Sequence, residues 1–131
     1  FLADYYYVPT KIKNVPKKDI VSIAAEAITQ SSVPVCNINQ AFYNNYSTFC
    51  TADGSVYSWG EGSAGQLGNG YEANKDSPTC IESSIKFIEV AAGEQHTVGL
   101  TAQKNLYVWG TGNEALGFGA AMKFTTPQKL F

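Results

Sequence analysis

Two apolar runs mark this chain, one at Val56–Trp59 that is broken only by Ser58 and an unbroken one at Leu106–Trp109. Neighbouring side chains of a strand point to opposite faces of its sheet, so a run without alternation predicts a strand that is covered on both faces. The first run contains Ser58, a small residue that tolerates burial where its hydroxyl finds a partner. A glycine-rich stretch then extends from Gly60 to Gly70, which is typical of a long loop.

The runs belong to a repeat with four landmarks, each of which occurs twice: Trp59 and Trp109, Gly60 and Gly110, Leu67 and Leu116, and Pro78 and Pro127. The first two pairs are 50 residues apart and the last two are 49 apart. The leucines are apolar residues within polar loops, and we expect them to tuck each loop against its sheet. Upstream, Ile20 matches Phe87 at a spacing of 67 residues. This is 17 residues more than the spacing of 50 between the tryptophans, which predicts an insertion of 17 residues in the first copy, at about 28–45.

Units of roughly 40–50 residues with several short strands are typical of β-propellers. We therefore predict an all-β chain in which residues 1–19 end a preceding repeat, 20–86 form a repeat with the insertion, and 87–131 form a second repeat. The turn at residues 52–54 is a hairpin signal.

Two segments needed a choice between patterns. The apolar stretch from Ile20 could also form a helix, but its match to the stretch from Phe87 favours a buried strand. Residues 7–12 resemble the proline-led strand of a preceding copy.

Blades of a propeller cover one another and number about four to eight. We therefore expect this chain to be a fragment of a longer protein, or to be completed by another chain.

Composition narrows the function classes. The 131 residues are 44% hydrophobic and 15% charged, as in an ordered globular domain. The net charge is −2, and all nine basic residues are lysines, so direct nucleic-acid binding is not expected. The three cysteines have no CxxC spacing and predict free thiols in a reducing, intracellular compartment. No apolar stretch is long enough for a membrane span.

Together these residues resemble the regulator of chromosome condensation repeat. The resemblance is carried by WGEGSAGQLGNG at 59–70, a proline-led strand after it, and VAAGEQHT at 90–97 followed by LYVWG. The second copy departs from the pattern where EALG replaces GQLG at 114–117, and the first copy has Tyr46 at the position of the repeat's histidine. The resemblance implies a propeller of about seven blades, of which this chain would supply about two.

The resemblance also gives a set of residues structural roles in the repeat: Trp59, Gly60, Gly65, Leu67, Gly68, Pro78, Gly93, His96, Trp109, Gly110, Leu116, Gly117 and Pro127. His96 is the single histidine and has Glu94 nearby, but it lies where the repeat itself carries a histidine. We therefore interpret His96 as structural. We expect no catalytic residue, cofactor or metal in this chain, and no enzymatic activity.

Several functions are compatible with the resemblance. The first is a non-enzymatic interaction propeller, a scaffold or structural subunit whose loops bind a partner protein. The alternative is a guanine nucleotide exchange factor for a small GTPase, as in the founding member, and a third is an enzyme with its catalytic domain elsewhere. The candidate partner surface comprises Ala41, Phe42, Tyr43 and Tyr46 of the insertion and the lysines Lys11, Lys13, Lys17 and Lys18. Passive, solvent-exposed loops are the other interpretation of both segments.

Overall fold

The computed structural model describes residues 8–26, 46–112, 117 and 121–130. These described residues form eight β-strands: β1 Ile20–Glu26, β2 Tyr46–Thr51, β3 Val56–Gly60, β4 Lys75–Cys80, β5 Phe87–Ala92, β6 His96–Thr101, β7 Leu106–Gly112 and β8 Met122–Lys129. They form two antiparallel four-stranded sheets, β1-β2-β3-β4 and β5-β6-β7-β8. No helix occurs in the ranges just given, and the predicted all-β class is confirmed.

The two sheets share one register. Ile20 pairs with Thr51 in the first sheet and Phe87 pairs with Thr101 in the second, and an irregularity follows at the same place in both. The pairing of β2 with β3 is likewise repeated by β6 with β7. The spacings of 67 and 50 residues in the sequence therefore correspond to equivalent positions in space. The predicted insertion at about 28–45 lies outside the described residues.

The turns between the second and third strands also correspond. Gly54 N–H donates to Thr51 O at 2.9 Å, and Lys104 N–H donates to Thr101 O at 2.9 Å. Both turns need a left-handed residue, because φ is 87° at Gly54 and 66° at Lys104. A glycine accepts this backbone conformation without a steric penalty, whereas a lysine does not.

Strand β1 differs from its prediction in one respect. The segment is a strand rather than a helix, but it is not buried, since Ile20 is 43% exposed and Ile23 is 75% exposed. The second sheet packs against only one side of β1, where Ser22 Oγ accepts a hydrogen bond from Val90 N at 3.2 Å. The opposite side of β1 is therefore uncovered.

The segment before β1 does not form the predicted proline-led strand. Residues 8–19 consist of turns and irregular backbone, and no strand is present in the described part of the predicted range 7–12. None of the eight strands just described pairs with this segment, so they provide no ladder of hydrogen bonds that would hold it extended. The corresponding prolines of the two sheets, Pro78 and Pro127, do lie in β4 and β8. Each of these is an edge strand, where a missing N–H leaves the sheet intact.

The hydrophobic core lies between the two sheets. The first sheet and the linker after it contribute Cys50, Val56 and Ile81, and the second contributes Phe87, Val90 and Trp109. All six side chains are at most 5% exposed. We call this face-to-face contact the seam. Val56 and Trp109 of the seam come from the apolar runs of the two repeats, so the repeat is also the unit that packs.

Candidate interaction surfaces

The seam is held by a loop that leaves the first sheet and lies on the second. This loop, residues 61–74, connects β3 with β4 and carries Gly68 against the indole of Trp109. A Cβ on Gly68 would lie 2.6 Å from Trp109 Nε1, so no larger residue fits without displacing the ring. Leu67 beside it is fully buried, and Ser58 Oγ donates to Leu67 O at 2.7 Å. The loop is thereby fixed to its own sheet while it covers the next one.

Polar groups align the two sheets at one end of the seam. The Tyr46 hydroxyl donates to the carbonyl of His96 in the other sheet. The Thr97 hydroxyl donates to Gln66 O at 2.8 Å and lies 3.0 Å from Tyr46 Oη. Tyr46 and Thr97 are 2% and 0% exposed, so these bonds satisfy polar groups that burial would otherwise penalise.

Tyr46 was predicted to lie on a partner surface, and its burial contradicts that prediction. The residue begins β2, and its ring lies in the seam because the second sheet covers it. The other three residues of the predicted aromatic surface, Ala41, Phe42 and Tyr43, lie outside the described residues. Leu116 also lies outside them, so its role in the second loop stays a prediction.

A groove remains open on the side of the first sheet that faces away from the second. We call it the open groove. It has a volume of about 480 Å³, and its apolar lining comes from the segment before β1 and from β1, β2 and β3: Ile12, Val15, Ile20, Ile23, Phe49 and Trp59. Trp59 is half-buried, whereas its counterpart Trp109 is fully buried in the seam. The open groove is therefore the first sheet's counterpart of the face that the second sheet buries in the seam.

The lysine cluster before β1 is only partly available to a partner. Lys18 Nζ lies 2.9 Å from Asp53 Oδ2 and 5.7 Å from the centre of the Tyr57 ring. Hydrogen bonds with Asp53 and Tyr57 raise the pKa of Lys18. Hydrogen bonds from the Thr51 hydroxyl, Lys18 and the backbone of Ser55 hold the pKa of Asp53 well below its usual value.

The other lysines of this cluster, Lys11, Lys13 and Lys17, are exposed. They lie in the segment before β1 that carries Ile12 and Val15, two of the residues that line the open groove. The cationic and apolar surfaces are therefore neighbours in the chain.

His96 and the cysteines have structural surroundings. The imidazole of His96 lies against Gly93, the next residue after β5, and Gly93 N–H donates to His96 O at 2.8 Å. Cys50 is a fully buried free thiol, and burial together with the charge of Glu89 raises the pKa of this thiol. Cys80 is a free and exposed thiol on the edge strand β4, and Cys36 lies outside the described residues.

Two classes of feature are absent from the part of the chain that the structure describes. No group of three or more His, Cys, Asp and Glu side chains comes together there in a way that could hold a metal ion. Across residues 8–26, 46–112 and 121–130 there is no helix long and apolar enough to cross a membrane.

Family models match both repeats of this chain. Residues 53–100 match one model of the regulator of chromosome condensation (RCC1) repeat, and residues 87–115 match a second model of the same repeat. The matched ranges contain the turn after β2, the loop on Trp109 and the strands β3 to β7.

Similar proteins are longer than this chain. Human E3 ubiquitin-protein ligase HERC2 is 35% identical over 102 residues, which are 76% of this chain and 2% of HERC2. The solved structure of human WBSCR16 has 28% identity and a TM-score of 0.58 over 66% of this chain and 23% of that one. Prp20p from Saccharomyces cerevisiae has 24% identity and a TM-score of 0.68 over 92% of this chain and 27% of Prp20p. The two sheets therefore have the fold of propeller blades in that family.

Proposed function

This chain carries repeats of the regulator of chromosome condensation family, and on that premise we propose that it supplies blades to a non-enzymatic protein-interaction propeller. The seam carries this proposal. Its buried side chains Thr97 and Tyr46 donate to backbone carbonyls of the other repeat, and Ser58 fixes to its own sheet the loop that covers the second one. Groups committed to holding blades together support a scaffold that positions loops for a partner.

The partner surface that we propose is the segment before β1. Lys11, Lys13 and Lys17 are exposed there, whereas Asp53 holds Lys18. Three cations on an irregular segment favour an acidic segment of another protein, because complementary charge raises the rate of encounter and selects the partner.

Guanine nucleotide exchange is the second candidate. The solved structure of Prp20p is described together with its binding to Gsp1p and histones, and Prp20p shares the fold of this chain. Likeness at 24% identity supports the fold, so exchange by this chain is an alternative that needs its own assay.

Release of a fluorescent guanine nucleotide from a panel of small GTPases separates the two candidates. We expect the chain to leave the release rate unchanged at concentrations up to about 100 μM, where even weak specific contacts populate a complex. Acceleration of release from any member of the panel would refute the scaffold proposal and favour exchange.

The partner surface is tested separately with a polyglutamate peptide as the probe. The triple variant Lys11→Glu, Lys13→Glu, Lys17→Glu should lose binding to this peptide. A matched triple variant with the same charge change, at the exposed lysines Lys104, Lys123 and Lys129, should retain it. Equal loss in both variants would show that net charge, and not this surface, drives the contact.

A further inference from the structure

The loop at residues 61–74 is fixed on the second sheet through alternate positions: Ala64, Gln66, Gly68 and Gly70. The carbonyls of the first two accept hydrogen bonds from the Thr111 hydroxyl at 2.7 Å and from the Thr97 hydroxyl at 2.8 Å. The third lies on the indole of Trp109, and the N–H of the fourth donates to Thr125 O at 2.8 Å. This last contact, with the edge strand β8, holds down the far end of the loop.

Asn69 and Gly70 are the single Asn-Gly pair of the sequence, and they lie at this end of the loop. In such a pair the amide nitrogen of the glycine can attack Cγ of the asparagine side chain, because no Cβ on the glycine obstructs its approach. The new N–C bond closes a succinimide ring, and the side-chain amide leaves as ammonia with the proton that the attacking nitrogen gives up. Water then opens the ring at either carbonyl and leaves aspartate or isoaspartate at position 69.

The carbon that is attacked is already polarised in the folded chain. Tyr71 N–H donates to Asn69 Oδ1 at 3.0 Å, in the manner of an Asx turn. The same hydrogen bond stabilises the negative charge that develops on this oxygen when Gly70 N attacks Cγ. Asn69 is half-buried and Gly70 is exposed, so water reaches the pair. The local turn therefore favours the reaction.

The attacking nitrogen, in contrast, is engaged by the second sheet. Its N–H donates to Thr125 O, whereas the reaction requires the nitrogen to give up this proton and to turn towards Cγ of Asn69. The hydrogen bond opposes both requirements, so the docked loop protects the pair. The glycine itself has a structural reason, because φ at Gly70 is 87°. Space is not that reason, since a Cβ there would meet only Thr126 Cγ2, at 3.9 Å.

A similar turn in the first sheet shows what is specific to this pair. In Asp53-Gly54 the side-chain oxygen Oδ1 likewise accepts a hydrogen bond from the next N–H but one, that of Ser55, at 3.1 Å, and φ at Gly54 is also 87°. There, however, Gly54 N–H donates to Thr51 O within its own hairpin. The glycine nitrogen of that turn is held locally, whereas the hold on Gly70 depends on the second repeat. The reactivity of the Asn-Gly pair is therefore linked to the contact between the repeats.

We propose that the Asn69-Gly70 pair is a deamidation site that the second sheet keeps closed and that reacts when the loop leaves this sheet. Asn69 lies between two anchored glycines, Gly68 on Trp109 and Gly70 on Thr125. Isoaspartate adds one carbon to the backbone between these anchors. The first anchor has no room for a shift, because even a Cβ on Gly68 would lie 2.6 Å from Trp109 Nε1. A loop that has reacted to isoaspartate therefore does not return to both anchors, and the modification leaves a covalent record that the repeats have separated.

Rates of deamidation, measured by peptide mapping and mass spectrometry near neutral pH, test this proposal on the intact protein. In guanidinium chloride Asn69 should react faster than Asn74 and Asn105. The residues that follow those two, Lys75 and Leu106, carry side chains that obstruct attack. Under native conditions Asn69 should react at least about tenfold more slowly than in the denaturant, which corresponds to about 1.4 kcal/mol for opening of the loop. Equal rates for Asn69 in the two conditions would refute the proposal, and so would an Asn69 that reacts in the denaturant no faster than the other two.

The variant Thr111→Val tests whether release of the loop controls the reaction. It removes the hydroxyl that donates to Ala64 O and leaves the hydrogen bonds of Asn69 and Gly70 in place. Loss of one such hydrogen bond should raise the native rate of deamidation about two- to tenfold. Thr111→Ser keeps the hydroxyl and should react at the rate of the wild type. An unchanged native rate in Thr111→Val would contradict the proposal.

The matched control is Thr48→Val, which also removes a threonine hydroxyl. This hydroxyl donates to Tyr57 O at 3.0 Å inside the first sheet and does not hold the loop. The control should leave the native rate of deamidation unchanged. Equal acceleration in Thr48→Val and Thr111→Val would overturn the proposal, because Asn69 would then react through unfolding of the whole chain. The comparison of native and denatured wild type decides the proposal even where a variant does not fold.

Discussion

In each repeat one phenylalanine ring packs against the tyrosine and the tryptophan of the third strand, but the two repeats supply this ring from different strands. This difference can be tested directly. In the second sheet the Phe87 ring of the first strand lies 5.7 Å from the Tyr107 ring and 5.6 Å from the Trp109 ring, between centroids. The position across from Tyr107 on β6 is Gly99, and a Cβ there would lie 2.6 Å from the Phe87 ring. The phenylalanine of β5 therefore requires the glycine of β6.

The first sheet has the reverse arrangement. Its second strand supplies the aromatic ring, Phe49, whose centroid lies 5.2 Å from that of Tyr57 and 5.8 Å from that of Trp59. Ile20 stands where the other repeat has Phe87, and Phe49 stands where it has Gly99. Each repeat thus has one ring for this space, which is what close packing allows.

We predict that the double variant Phe87→Ile, Gly99→Phe is more stable than the two single changes together imply. Phe87→Ile should cost about 1–3 kcal/mol, since it leaves part of the ring's space empty. Gly99→Phe should cost about 3 kcal/mol or more, because two rings would compete for one space. In the double variant the new ring takes the space that Phe87 vacates, and the φ of Gly99 is not in the left-handed region. We expect a favourable coupling energy of about 2 kcal/mol, within the range for residues in contact.

The measurement is urea-induced unfolding of the wild type, both single variants and the double variant, followed by fluorescence. The matched control pairs Phe87→Ile with Leu100→Ala, because Leu100 is the neighbour of Gly99 on β6 and points to the opposite face. The control pair should be additive to about 0.5 kcal/mol. Additivity of the same quality in the Phe87 and Gly99 pair would refute the reasoning.

Three further predictions follow from the seam and the turn. Trp109→Ala removes a fully buried ring and should lower the free energy of unfolding by about 3–5 kcal/mol in urea denaturation, and a loss below about 1 kcal/mol would mean that the ring is not part of the core. Tyr46→Phe removes the hydroxyl that donates to His96 O and should cost about 0.5–1.5 kcal/mol in the same assay, whereas no change would show that this bond does not align the sheets. Asp53→Asn should lower stability at pH 7, because the folded pKa of Asp53 lies below its unfolded value of about 3.9. The stabilisation is fully present above that pH and is lost as the pH falls towards the folded pKa, so the thermal unfolding curves of the two proteins should approach each other progressively below about pH 4.

Much of the fold follows from the sequence, because the repeat ties its elements together. The runs ending in Trp59 and Trp109 form the strands β3 and β7. The prediction that both faces of these strands are covered is wrong for β3, because Trp59 is only half-buried and lines the open groove. The small polar residue within the first run has the partner that its burial requires, since Ser58 donates to Leu67 O. These features depend on interactions within one repeat. A chain that contains two copies of a repeat gives two indications of such interactions in its sequence.

Features that depend on the contact between repeats were harder to predict. Tyr46 begins a strand at the end of a polar insertion, a context that suggests exposure. Its burial comes from the second sheet, whose His96 carbonyl accepts its hydroxyl 50 positions further along the chain. The alignment of Tyr46 with His96 could have indicated this burial, because a residue that matches an interior position of the repeat is a candidate for the seam.

The different placement of the phenylalanine in the two repeats shows what is missed when matched positions are compared singly. Compared one position at a time, Ile20 against Phe87 is a conservative change, while Phe49 against Gly99 suggests that one repeat has lost a core residue. In the structure these two differences are linked, because Phe49 and Phe87 occupy the same space beside the tryptophan of their own repeat. Two positions of a repeat that differ together should therefore be examined as a pair that shares a space. The coupling energy between Phe87 and Gly99 measures whether that space, and not either residue, is what the repeat retains.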